Sequence, residues 1–209
     1  MSATLDKAAD PSRYNAGVDI VLAIGIGIGL ASVAGVRAFL PLCFALLLGS
    51  LGYLDPSAAY RDYAAVDALG VVGGLAVLAL GEIVLDKIKR VERVLNLFMV
   101  PVRALCGALL AAAVAPETSF VLFAVVGAVV AGVVAGLKIV LRPPAREASS
   151  GVSTTFLSFA EDLVGLVGGI LAFFVPLLPA ALVAFLLFFY ARIRKRRGRK
   201  FGGLRILGD

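Results

Sequence analysis

The sequence predicts an all-α, polytopic helical membrane protein with six transmembrane helices, or seven if a short segment near 38–53 also spans. Three observations predict it. Apolar residues make up 61% of the 209 and the mean hydropathy is +1.01, where an ordinary soluble domain is about 45–50% apolar. Mostly apolar runs recur at 18–37, 66–85, 120–141 and 163–190, each near or above the roughly 20 residues that cross hydrocarbon as a helix. The loops between such runs alternate in sign, as a chain threading back and forth requires. A transmembrane barrel would need many alternating polar and apolar strands. Those are scarce here, which leaves helices as the structure that satisfies the backbone in lipid.

Taken in order, residues 1–17 form a polar N-terminal tail with Asp6, Asp10 and Pro11, unlike the basic start and short apolar core of a signal peptide. The run 18–37 is the first span. Segment 38–53, with Pro41 near its start and Gly49, Ser50 and Gly52 near its end, is short for a span and is expected to break or re-enter. Further helices are expected near 66–86, 98–114, 120–141, 153–175 and 177–192, the last two separated by Pro176 and Pro179. The tail 193–209 is basic. Arg192 to Asp209 carries eight bases against one acid, so the formal charge of +6 leaves about −1 for everything before it. Directly after an apolar run, this is the positive-inside pattern of a cytoplasmic C-terminus, able to touch anionic lipid headgroups; nucleic acid is not the expected partner. The loops 87–96 and 142–151 are basic while 55–67 and 115–119 are acidic, which places the first pair on the cytoplasmic side.

Two halves of the chain echo each other. Ala34-Gly35-Val36-Arg37 before Pro41 resembles Ala135-Gly136-Leu137-Lys138 before Pro143, and Leu80-Gly81-Glu82 resembles Phe159-Ala160-Glu161. Each half runs base, acid, one more helix. Under the charge-derived topology the two acidic segments point opposite ways, as inverted repeats demand, giving repeats at 18–114 and 115–192.

The candidate residues follow from charge inside apolar helices. Glu82 and Asp86, four apart, share a helix face where like charges repel unless a base joins them; Arg37 or Lys138 could come from another helix. The competing reading puts Glu82 one turn from the cytoplasmic end, and Asp86, with Lys87, Lys89 and Arg90, at the water. Glu161 and Asp162 lie about ten residues into a helix that begins near residue 152, a costly and usually functional depth. Ser158-Phe159-Ala160-Glu161 also fits a capping box that would start the helix later and leave both acids at the surface. Thr154, Ser158, Asp162, Gly165 and Gly169 form one polar and small stripe suited to a cavity or a tight helix contact. Gly25-Ile26-Gly27-Ile28-Gly29 lacks the strand and acidic ligand of a nucleotide-binding loop. The pairs Gly25 and Gly29, and Gly132 and Gly136, suit close helix packing. Cys43 and Cys106 lie in apolar stretches and read as packing residues. With no histidine in the chain, Ser-His chemistry and His-ligated metal or haem sites are excluded; no enzyme, metal or cofactor is expected.

The run Gly29-Leu30-Ala31-Ser32-Val33-Ala34-Gly35-Val36-Arg37-Ala38-Phe39-Leu40-Pro41-Leu42, with Glu82-xxx-Asp86-Lys87, Arg142-Pro143 and Ser158-xx-Glu161-Asp162, resembles a bacterial membrane family described only as domain of unknown function 4126, over most of 20–190. The family pattern has a proline after the base that corresponds to Arg103. Here Pro101 precedes it and Ala104 follows, which weighs against a role for Arg103. The resemblance implies no activity. The expectation drawn from the residues is a small transporter in which Arg37, Glu82, Asp86, Lys138, Ser158, Glu161 and Asp162 bind substrate or pair near the midplane, for an ion or a small polar or anionic solute. A lipid-phosphate carrier gripping its headgroup with Arg37 and Lys138 is the close variant. A non-transporting scaffold, homo-oligomeric or recruiting a partner, is the reading from another class.

Overall fold

A computed structural model describes residues 11–50, 68–88, 92–142 and 154–202, and all regular structure among them is helical. Seven α-helices follow in order: α1 (Pro11–Val36), α2 (Phe39–Ser50), α3 (Ala68–Asp86), α4 (Glu92–Ala113), α5 (Phe120–Leu141), α6 (Thr154–Leu171) and α7 (Leu178–Gly202), with a single 3₁₀ turn at Glu117–Ser119 before α5. Charges close three of the apolar helices: α1 stops at Val36 before Arg37, α3 at Asp86 before Lys87, and α5 at Leu141 before Arg142 and Pro143. Proline cannot continue a helix, and it disfavours helical geometry in the residue before it. Helix α1 begins at Pro11, so residues 11–17 of the expected polar tail belong to it. Helix α7 runs on unbroken into the basic tail as far as Gly202. The segment expected to break or re-enter is its own helix: α2 has 12 residues, about 18 Å at 1.5 Å per residue, well short of a roughly 30 Å hydrocarbon core. Residues 51–53 lie outside the described residues.

Helix α1 is the hub. Successive residues Leu30, Ala31, Ser32, Val33 and Ala34 are all buried, which requires neighbours on every side; α2, α4, α5, α6 and α7 supply them. Small residues set the approach. A Cβ on Gly25 would lie 2.8 Å from Pro176 Cβ, and one on Gly29 would collide with the Pro176 carbonyl, so the expected packing role of this pair is met. Gly35 is equally tight, 2.6 Å from Val134 Cβ. Gly165 and Gly169 of the α6 stripe seat α1 and α2: their Cβ positions fall 3.1 Å from Arg37 Cγ and 3.2 Å from Phe44 Cδ2. The stripe is a helix contact.

Helices α4 and α5 form the most extensive pair. They are antiparallel, since Ala104 meets Gly132 while Ala111 meets Gly127. The expected pair Gly132 and Gly136 does not make this contact. A Cβ on Gly136 would meet nothing within 4 Å, and the crossing is instead at Gly107 and Gly127, where each glycine's Cβ position collides with the other's carbonyl. The sequence spacing was right and its register wrong, because seven glycine or alanine residues on α5 leave the choice of face to the partner helix. Gly136→Ala is therefore expected to be neutral or stabilising by up to about 1 kcal/mol through helix propensity. Gly127→Ala should cost about 1–3 kcal/mol through overpacking. Unfolding of the two purified variants in detergent measures both.

Around an apolar core, large apolar side chains lie exposed while several charged ones lie buried. Phe98 and Val121 are 73% and 71% exposed, whereas Arg37, Lys138 and Glu161 are 0%, 1% and 0% exposed. Two segments, Val94–Ala113 of α4 and Phe120–Leu141 of α5, are long and apolar enough to cross a membrane, and the apolar stretches Ile20–Val36 and Phe39–Gly49 are shorter. Cys43 and Cys106 are free, with Cys106 in the core.

Candidate functional site

The ends of α1, α3 and α5 and the first halves of α4 and α6 meet at one end of the bundle, and nearly every buried charge of the described residues is there. Carbonyls at helix C-termini favour cations and amides at N-termini favour anions; Arg37, Lys138 and Glu82 follow that rule, while Asp86, the last residue of α3, is held against it by Arg37 and Arg142. Arg37 sits just past the end of α1. Lys138, in the last turn of α5, donates to the Val36 carbonyl at 3.1 Å. Glu82 Oε2 accepts from the Ala38 and Phe39 amides that open α2, at 3.0 and 3.5 Å.

Arg37 is the junction. Its Nη2 donates to Asp86 Oδ2 at 2.9 Å and to Ser158 Oγ at 3.3 Å, and lies 2.6 Å from Asp162 Oδ1 and 3.6 Å from Glu161 Oε2. Asp86 also accepts from Arg142 Nη1 at 3.1 and 3.2 Å, from Asn96 Nδ2 at 3.2 Å and from Ser158 Oγ at 3.2 Å. Glu161 receives Lys138 Nζ at 2.8 Å, Arg142 Nη1 at 3.3 Å and the Tyr190 hydroxyl at 2.6 Å. On the other flank Arg103 donates to Glu82 at 3.0 Å and to Asn96 at 3.1 Å, so Asn96 links the two parts into one network. Lys87, at the rim, reaches Asp162 at 3.4 Å.

The structure thus brings together all seven residues singled out in the sequence. Arg37 and Lys138 are not anchors reaching for water at helix ends; both point inward and are fully buried. Asp86 is corrected most. Its neighbours in sequence suggest a waterside position, yet it is 2% exposed because α5 and α6 fold over it and bring Arg142 and Ser158. Ser158 lies inside α6 and caps nothing; its hydroxyl is held between Arg37 and Asp86. Lys89 and Arg90 lie outside the described residues, as does the side chain of Thr154.

Sequence reasoning missed Arg103, Arg142, Asn96 and Tyr190. Arg103 carried a usable signal: it is the sole charge in the long apolar stretch 94–113, and such a residue faces the bundle interior by default. Arg142 reads as a loop base next to two prolines, and nothing local marks Asn96 or Tyr190 as polar partners.

Counting the charges fixes what the network can do. Arg37, Arg103, Lys138 and Arg142 face Glu82, Asp86, Glu161 and Asp162, four against four. Charges shed water at a cost that their mutual attraction only roughly offsets, so a buried network of this size is weak evidence for stability.

A family model described as domain of unknown function (DUF4126) matches residues 24–196. The chain belongs to that family. No curated protein and no solved structure matches it. The stretch matched to DUF4126 holds the whole network, from Arg37 to Tyr190.

Proposed function

We propose that the chain is a multi-pass carrier of a bacterial inner membrane, moving a small charged or polar solute past the buried network. The observation that carries this reading is the pattern of burial: acids and bases inside, apolar faces outside. Lipid is the solvent in which such a surface is favourable. Valines and leucines spaced three or four apart, such as Val77, Leu80 and Val84 on α3 and Val121, Val125 and Val129 on α5, face outward as lipid-facing helices would. The basic features Lys87, Arg142 and Arg194 gather at the network's end of the bundle, with Arg194 donating to the Val140 carbonyl of α5. By the positive-inside rule that end is cytoplasmic. The network then opens toward the cytoplasm and runs inward to Arg103 and Tyr190, short of a strictly midplane site.

The expected inverted repeat is met only in part: α3 and α6, and α4 and α7, present opposite ends to the network, whereas α1 and α5, which carry the paired bases, run parallel and end together. Glu82 and Glu161, the paired acids of the two halves, each take one donor from the following long helix, Arg103 of α4 and Tyr190 of α7. Arg37 and Lys138, the paired bases, both reach Glu161. The balance of four acids with four bases also suits a static scaffold, in which the ion pairs only hold helices together. Flux separates the two. Purified chain in liposomes is expected to pass at least one solute of a panel of monovalent ions, small anions and lipid phosphates, and Glu161→Gln and Arg37→Gln should each reduce that flux at least tenfold. Flux that both variants leave unchanged contradicts the carrier mechanism, and no flux across the panel favours the scaffold.

A further inference from the structure

Resting on the carrier reading, we infer that the network is a proton-switched anion site: protonation of Asp162 releases one unit of positive charge at Arg37, which then holds one small monovalent anion. The inference begins from the charge balance. Three of the four bases are arginines, which do not deprotonate in proteins, and the fourth, Lys138, is locked between Glu161 and the Val36 carbonyl. All four acids can take up a proton. The charge that the network can readily shed is therefore negative, and each proton gained leaves it one unit positive. In a buried setting that excess has to be met by an anion. A cation would instead compete with guanidinium groups that cannot leave.

Arg37 is the ligand the geometry favours. It is fully buried, and its Nε and Nη1 have no hydrogen-bond partner among the described residues; four of the interactions above converge on Nη2 alone. Arg103 Nε is in the same condition on the other flank. Buried donors without acceptors are costly, and an anion beside Arg37 would satisfy them.

Asp162 is the switch because it is the acid closest to water. Its side chain is 16% exposed, against 0–2% for Glu82, Asp86 and Glu161. It holds Arg37 at 2.6 Å through Oδ1, a contact of charges without the directionality of a hydrogen bond. Its other partner is Lys87, whose side chain is 44% exposed. The groups facing Arg37 from the packed helices are Glu82 and Asp86 on α3, Arg103 and Asn96 on α4, Lys138 and Arg142 on α5, Ser158, Glu161 and Asp162 on α6, and Tyr190 on α7. Of the acids in that set, Glu161 carries two further bases and Tyr190, and Asp86 carries Arg142 and Asn96.

The test uses full-length chain in liposomes loaded with a pH-sensitive dye, given inward gradients of chloride, nitrate or lactate, with sulfate and potassium as contrasts. Wild type is expected to acidify the lumen with about one proton per monovalent anion, unaffected by clamping the membrane potential, because binding linkage joins the two ligands. Asp162→Asn, with its positive charge permanently uncovered, should carry the same anion as a current without acidifying the lumen. In detergent, that anion should raise the unfolding midpoint of wild type at mildly acidic pH only, and of Asp162→Asn at acidic and alkaline pH alike. Anion flux without proton movement in wild type, potassium flux that alkalinises the lumen, or wild-type proton counts in Asp162→Asn would overturn the inference while leaving a carrier in place. No flux of any probe, together with no anion-dependent shift of the midpoint, removes the carrier reading and this inference with it.

Discussion

Arg37→Gln is expected to destabilise the folded chain by about 3–5 kcal/mol, the cost of leaving buried carboxylates without their cation. Arg37 closes the network at the hub helix. Without it Asp86 keeps Arg142, and Glu161 keeps Lys138 and Arg142, but Asp162 keeps only exposed Lys87, and the buried set carries a net charge of −1. Arg37→Lys should recover less than half of the loss. All four contacts fall on Nη2 at the far end of the guanidinium, one bond beyond where a lysine nitrogen ends, and the bare face of Gly165 that accommodates the arginine stem does not help a shorter reach. Combining Arg37→Gln with Asp86→Asn restores the charge balance and should recover part of the stability, with a coupling of about 0.5–3 kcal/mol. Denaturant unfolding in mixed micelles gives the three differences.

Arg103→Met is expected to cost a comparable 3–5 kcal/mol or so by stranding Glu82, whose remaining donors are the Ala38 and Phe39 amides. Glu82→Gln alone strands Arg103 in turn. The double variant Arg103→Met/Glu82→Gln should be close to wild type in stability, since replacing both members of a buried pair is often neutral or better. The cycle therefore discriminates sharply. Additive losses in the double variant would mean that the two side chains do not depend on each other. The same double variant should retain the fold and so reveal separately whether this flank of the network matters to flux.

Helix positions were largely legible because apolar runs end where charges begin. The expected 120–141 coincides with α5, and 66–86 with α3 to within two residues at its start. The site was legible where a charge interrupts an apolar helix, as at Glu161, and obscure where it sits among other charges, as at Asp86. The departure from the family's proline pattern led away from Arg103, and a misplaced helix boundary reinforced it. A helix beginning at 98 puts it in the second turn, near the surface, whereas α4 begins at Glu92 and makes it the twelfth residue, deep in the bundle. Arg142, Asn96 and Tyr190 were not legible as partners, because apart from Asn96 with Arg103 on the same helix their contacts lie 10 to 56 residues away along the chain and form only through the packing of α3 to α7. The face on which α4 and α5 cross was hidden for the same reason, since glycine and alanine occur on several faces of α5.

The central claim is that the apolar faces meet lipid while the charges face one another inside. Site-directed nitroxides test it most directly, placed one at a time at Val77, Leu105, Val129 and Phe185, and at Lys87 for comparison, in a chain with Cys43 and Cys106 replaced by alanine and reconstituted in bilayers. The account predicts that the first four, all outward-facing, collide readily with dissolved oxygen and poorly with a water-soluble nickel complex, and that Lys87 does the reverse. Nickel access equal to that of Lys87 at all four positions would contradict it.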